Sequence, residues 1–172
     1  MQAPGPALET QRLHLRPVTL DDAESLGELF NRPDVRRYLF DDQPVDAEMT
    51  RGIIESSLKN FRSRGYGLWL ATLHGQERLA GFGGYGFFYD PPELQLFYGL
   101  APEQWGRGLA TELARRLLDF GLEELGFDEV IAVTDPPNQA SIRVLERLGM
   151  RRLPDRVRNG QPAVYFRASR SA

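Results

Sequence analysis

The sequence predicts an α/β (α+β) fold, a mixed, mostly antiparallel twisted sheet of about six or seven strands with helices on both faces. Three observations predict it. Two segments with apolar residues at helical spacing stand near the start, three strand-like runs with short connections follow, and a strand–turn–helix–strand–helix run comes after them. Short connections join antiparallel neighbours, whereas a helix between two strands has to lie across a face of the sheet. The 172 residues suit one core of ordinary size.

Residues 1–10 are rich in Pro, Gly and Ala and are expected to form a flexible N-terminal tail, with 11–172 a single domain. Over 12–16, Leu13 and Leu15 share one face of a short strand. Thr19 or Asp21 caps a helix carrying Ala23, Leu26, Leu29 and Phe30, and Pro33 ends it. Asp46 opens a second helix with the stripe Met49, Ile53, Ile54, Leu58 and Phe61. The strand-like runs are 66–73, the glycine-rich 78–89, and 94–100, where Leu94, Leu96, Tyr98 and Leu100 alternate with Gln95 and Phe97. A long helix over 108–124 presents Leu109, Leu113, Leu117 and Phe120 on its apolar side, with Leu125 beyond it. A buried strand over 129–133 and a helix over 138–148, closed by Gly149, come next. Two strands near 150–153 and 163–168 complete the chain.

Composition narrows the function. A net charge of −3 argues against a dedicated nucleic-acid binder. With no cysteine, disulfides, thiolate metal sites and a sulfur nucleophile are excluded, so any acyl transfer is direct or passes through oxygen. His14 and His74 are far apart in sequence and read as structural; no metal site is expected. The start lacks a secretory pattern, and no apolar run approaches the roughly 20 residues that span a membrane. A cytoplasmic monomer or homodimer with no membrane partner is the expectation.

The segment that carries chemistry is Trp105-Gly106-Arg107-Gly108-Leu109-Ala110-Thr111-Glu112, at the turn from a strand into the long helix. Glycines let backbone approach a ligand closely. The first N–H groups of a helix lack intrahelical partners and carry the positive end of the dipole, so they bind phosphate. Arg107 adds a cation. The same glycines also suit an ordinary packed helix entry. A second glycine pattern, Gly81-Phe82-Gly83-Gly84-Tyr85-Gly86, matches G-x-G-x-x-G but is followed by Asp90-Pro91-Pro92 instead of a helix.

The order of three segments resembles the GCN5-related N-acetyltransferase (GNAT) superfamily, and within it the RimJ/RimL-like branch. They are Glu9-Thr10-Gln11-Arg12-Leu13-His14-Leu15-Arg16-Pro17, the stretch from Leu100 through Pro102 to Glu112, and Asn138-Gln139-Ala140-Ser141 running on to Leu148-Gly149-Met150. The resemblance implies a GNAT-like sheet with a splayed central strand pair and acetyl-CoA as donor, held without a metal. It implies that backbone N–H groups around Gly106, Arg107, Gly108, Leu109, Ala110 and Thr111 hold the pyrophosphate, with Trp105 where many members have Arg or Gln. Leu100 and Ala101 would pair with the pantetheine as an added strand would, and Asn138 would bond the pantetheine or its neighbouring backbone while also capping its helix.

Acetyl transfer needs a neutral amine and a stabilised leaving thiolate. The tyrosine that many members place on the last main helix as the acid is replaced here by Leu145, and the resemblance transfers that role to Ser141, which also reads as a capping residue. The family's frequent strand glutamate is replaced by Gln95, so Glu93, two positions earlier on the same strand face, is the candidate base, with Asp90 the weaker one. The acceptor is expected to be a peptide N-terminal α-amine or a small-molecule amine. Asp41, Asp42, Asp46 and Glu48 would attract it or simply form a solvated loop, and Trp69, Tyr85, Phe87 and Phe97 would line its cleft or belong to the core. Two rival readings stand beside transfer: a non-catalytic acyl-CoA-binding protein, favoured by the missing tyrosine, and a Rossmann-like nucleotide-binding enzyme, favoured by Gly106-x-Gly108.

Overall fold

The structure is a computed structural model that describes residues 3–170. β1 (Leu8–Glu9), β2 (Leu13–Pro17), β3 (Leu68–Leu73), β4 (Leu79–Phe88) and β5 (Glu93–Leu100) form one sheet in that order, each ladder antiparallel. β6 (Glu129–Thr134), β7 (Arg151–Arg152) and β9 (Gln161–Ser169) form a second, ordered β6-β9-β7, and β8 (Arg156–Arg158) pairs with β9. The expected meander is therefore β3-β4-β5. β5 and β6 run side by side, yet among the described residues no ladder joins them, so the central pair is splayed.

Among the described residues five α-helices cover the two faces: α1 (Ala23–Phe30), α2 (Pro33–Arg36), α3 (Ala47–Arg64), α4 (Leu109–Asp119) and α5 (Gln139–Arg147). The pleat turns alternate side chains to opposite faces, and two apolar clusters result. Leu13, Leu15, Trp69, Leu96 and Leu100 pack with Leu109, Leu113, Leu117 and Leu145. Val18, Leu68, Leu70 and Phe82 pack with Leu26, Phe30, Val35 and Ile54 on the other side. Asp46 caps α3 through Met49 N at 2.7 Å, and Gly65 closes it at φ 84°. α3 buries Ile54 and Phe61 of the expected stripe together with Thr50 and Ser57, while Met49 is 48% exposed. Among the described residues no helix is long and apolar enough to cross a membrane.

Three local readings change. Pro33 does not merely end α1; it stands at the first position of α2, where its missing N–H costs nothing. The helix over 108–124 is not uniform. α4 gives way at Phe120 to a π-helical turn, Phe120–Glu124. The cause is Tyr85, whose hydroxyl donates to Leu117 O at 2.7 Å, the carbonyl that Gly121 N–H would otherwise take. Gly121 is required there, because a Cβ would sit 2.1 Å from the Tyr85 hydroxyl. The third change is near the C-terminus, where Arg156–Arg158 adds a strand through the turn Asn159-Gly160, both at positive φ, a hairpin turn pair.

Of the segment 1–10, Met1 and Gln2 lie outside the described residues, and the rest packs onto the sheet. Leu8 and Glu9 pair with Leu15 and His14, Leu8 is 2% exposed, and Pro6 O accepts the Trp69 indole N–H at 2.8 Å. One apolar side chain and three anchors hold what composition alone reads as flexible. His14 and His74, distant in sequence, meet at Glu9. The main anchor is Glu112 on α4. Its carboxylate accepts from Thr10 Oγ1 at 2.6 Å, Arg12 N at 2.9 Å and Arg12 Nε at 2.8 Å.

Burial opposes the charge on Glu112, but the bonds from Thr10 and Arg12 outweigh it and hold the carboxyl below its ordinary range. A depressed folded value means the stabilisation is complete above the unfolded value and is lost as pH falls through the folded one. Glu112→Gln is expected to lower Tm near neutral pH by about 3–12 °C, from roughly 1.5–3 kcal/mol per hydrogen bond to a charged group and roughly 2–4 °C per kcal/mol. Calorimetry at a series of pH values should show that gap closing on acidification below the carboxylate range; a constant gap would show that the charge contributes nothing.

Candidate active site

β5 ends at Leu100, Pro102–Gln104 forms one 3-10 turn, and the chain enters α4 through Gly106 and Gly108 at φ 74° and 76°. That region costs other L-residues about 1–2 kcal/mol, which is the local reason for glycine here. Gly108 is the N-cap of α4 and supplies no side chain, so no side-chain cap occupies the first N–H groups of the helix. The turn is held from behind: Arg12 Nη1 donates to Arg107 O at 2.8 Å, and Arg107 Nη1 donates to Gln104 Oε1 at 2.6 Å. A free row of N–H groups at the positive end of a helix, in a fixed turn, is an anion seat.

A cleft of about 700 Å³ opens over this seat. Leu100, Trp105, Gly106, Gly108, Leu109, Ala110, Thr111, Asn138 and Ser141 line it; Ala101, Arg107 and Glu93 do not. The cleft also touches Val35, Tyr38 and Phe82, from the opposite face of the sheet. It therefore crosses the sheet at the C-terminal end of β5, where that strand has no partner on its β6 side.

The edge of β5 has a definite polarity. Ala101 N donates to Ala80 O at 2.8 Å, so Ala101 faces β4. Alternation along an antiparallel strand then turns the backbone groups of Leu100 and Tyr98 outward, toward β6. Of these, Leu100 O already accepts the Trp105 indole N–H at 3.1 Å, and the indole is 51% exposed.

Asn138 caps α5, its Oδ1 accepting from Ser141 N at 3.2 Å. Ser141 Oγ lies 2.9 Å from the Tyr98 hydroxyl. Burial pushes the Tyr98 phenol up to about 12, only partly offset by the contact with Ser141. Leu145, at the position of the absent family tyrosine, is 1% exposed and belongs to the core. Glu93 is held away: Gln95 Nε2 donates to its Oε1 at 2.9 Å, and Arg158 Nη2 to its Oε2 at 3.2 Å. Arg158 also donates to the Tyr165 hydroxyl at 2.6 Å. Each carboxylate oxygen thus accepts one hydrogen bond from a side chain outside the cleft lining.

The other acceptor-side residues separate. Asp46 caps α3 and Asp42 pairs with Arg36 at 3.1 Å. Trp69 and Tyr85 are core, and Phe87 is exposed at the end of β4. The aromatic residues at the cleft are Tyr38, Phe82, Tyr98 and Trp105. The signal for Tyr98 was its place in the apolar alternation of β5, where a phenol needs a hydrogen-bond partner. Among the described residues no group of three or more His, Cys, Asp or Glu could hold a metal.

The family model for the acetyltransferase (GNAT) domain matches residues 12–151. The chain belongs to the GNAT family. Its members transfer an acetyl group from acetyl-CoA to an amine, and the chain is an acyltransferase of that kind. An uncharacterized protein YkkB of Bacillus subtilis (strain 168) is 36% identical over 149 residues, covering 83% of this chain and 84% of that protein. The structure of an acetyltransferase from Agrobacterium tumefaciens (strain C58) superposes with a TM-score of 0.82 at 27% identity, covering 96% of this chain and 95% of that one. RimL, a ribosomal L7/L12 α-N-protein acetyltransferase solved with coenzyme A, shares the fold at a TM-score of 0.79 and 17% identity, over 96% of this chain and 98% of that one.

GNAT membership overturns the Rossmann-like reading, and β4 explains the second glycine pattern. Gly81 and Gly84 sit inside an antiparallel meander where a Cβ would meet Gly99 O at 2.6 Å and Gly67 O at 1.9 Å. Those glycines allow close strand packing. Trp105 offers a direct check of the GNAT donor site, since the other tryptophan, Trp69, is fully buried. Acetyl-CoA is expected to change tryptophan emission saturably, and Trp105→Phe to abolish that change; a signal surviving in Trp105→Phe would place the donor elsewhere.

Proposed function

We propose that the protein acetylates an amine that is easily neutral at physiological pH, a peptide N-terminal α-amine or a small-molecule amine of similar basicity, by direct transfer in a ternary complex with acetyl-CoA. The observation that carries this reading is the cleft that crosses the sheet at the end of β5. The pyrophosphate lies on the N–H groups of residues 106–111 and the pantetheine follows the outward edge of β5, with Trp105 turning aside from Leu100. The acceptor enters from the side of Val35, Tyr38 and Phe82. Its nitrogen attacks the thioester carbon, the C–S bond breaks, and Ser141 donates a proton to the leaving sulfur while the amine loses its own to water.

Energetics support the choice of amine. Neutralising a lysine side chain at pH 7 costs roughly 4–5 kcal/mol and an α-amine roughly 1 kcal/mol. Glu93, bound to Gln95 and Arg158, offers little help with the larger cost. That RimL is an α-N-protein acetyltransferase agrees with the α-amine reading.

Thiol release from acetyl-CoA, measured against peptides with free α-amines, N-blocked lysine peptides and small amines, tests the proposal. Rates with an α-amine should rise with pH and level off near its pKa of roughly 8. Release with lysine peptides alone would contradict the choice of amine. Acetyl-CoA binding without release on any amine would favour the sensing role. Ser141→Ala should lower kcat by about a hundredfold, the lower end of general-acid effects, with acetyl-CoA affinity unchanged.

A further inference from the structure

The Ser141 hydroxyl stands on the first turn of α5, where a free serine would rotate among three staggered positions or turn back onto its own helix. Its partner is on another element. The Tyr98 hydroxyl, from β5, lies 2.9 Å from Ser141 Oγ and 3.4 Å from Ser141 O. Among the described residues no other protein group bonds Ser141 Oγ. Tyr98 pairs with Gly83 of β4, on the sheet face that α4 and α5 cover, and both Tyr98 and Ser141 line the cleft.

We infer that Tyr98 is a positioning residue for acetyl transfer, donating its hydroxyl proton to Ser141 Oγ so that the serine O–H points into the cleft at the leaving sulfur; this rests on the reading of Ser141 as the proton donor. The direction follows from acidity: a phenol is a far stronger acid than an aliphatic hydroxyl and takes the donor role between them, and its contact with Oγ is shorter than its alternative contact with the carbonyl. Burial keeps the phenol protonated throughout the working pH range, so the donor is in place at the start of each transfer. Accepting that bond also stabilises the negative charge that builds on Ser141 Oγ as it releases its proton to sulfur. As Ser141 passes its proton to sulfur, the Tyr98 proton shifts to Ser141 Oγ along the bond between them, so no serine alkoxide is left, and the phenol is reprotonated from solvent after coenzyme A departs.

The test is a double-mutant cycle of Tyr98→Phe, Ser141→Ala and both together. Enzyme-dependent thiol release from acetyl-CoA is followed with hydroxylamine, an amine nucleophile small enough for any acceptor cleft. Calorimetry gives the acetyl-CoA affinity, and thermal unfolding verifies folding. Tyr98→Phe should lower kcat by about threefold to tenfold, the worth of one hydrogen bond, leaving acetyl-CoA affinity and the midpoint of the pH profile unchanged. In the Ser141→Ala background the same substitution should have no further effect. An equal loss in both backgrounds, a loss expressed only as weaker acetyl-CoA binding, or full activity of Tyr98→Phe beside a slowed Ser141→Ala would each overturn the inference. Full activity of Ser141→Ala would overturn the reading of the serine itself, and absence of enzyme-dependent release from the wild type would overturn transfer.

Discussion

Between β5 and β6 the hydrogen-bond ladder is missing, and most of the functional geometry depends on that gap. An unpaired strand edge inside a protein is costly unless something satisfies it. Here the exposed groups are Leu100 and Tyr98, and one of them, Leu100 O, is already covered by the Trp105 indole. A ligand with alternating donors and acceptors, such as a pantetheine amide chain, meets the same requirement. The gap also lets one cleft reach both apolar faces, so donor and acceptor can approach a common point from opposite sides.

The gap would be useless without a fixed helix end beside it. Glu112 ties the first turn of α4 to Thr10 and Arg12, about a hundred residues earlier in the chain, and Arg12 continues to the carbonyl of Arg107. The N-terminal segment is thus part of the donor site's support although it touches no donor. This gives a physical reason why Glu9-Thr10-Gln11-Arg12 and the Ala110-Thr111-Glu112 end of the signature belong to one pattern.

Elements with strong local signals were legible: the caps Asp46 and Asn138, the glycines of the α4 entry, and the alternation in β2 and β5 all follow from residue chemistry alone. Elements decided by distant partners were not. Pro6, Glu9 and Thr10 are held by Trp69, His14 and Glu112, partners that local composition does not reveal. The π-helical turn after α4 depends on Tyr85, more than thirty residues away. At the candidate site, the glycine turn and Ser141 stand out as motifs, whereas the Tyr98–Ser141 contact and the reach of Arg158 from the C-terminal hairpin to Glu93 depend on tertiary packing.

Amide hydrogen exchange with and without acetyl-CoA tests the central claim most directly, because it reads the backbone groups said to hold the donor. The account predicts slower exchange at residues 106–111 and at the outward N–H groups of Tyr98 and Leu100, with β4 unchanged. Protection confined to the glycines of β4, or to the polar pocket beside Arg16 and Arg32, with no effect at 106–111, would contradict it.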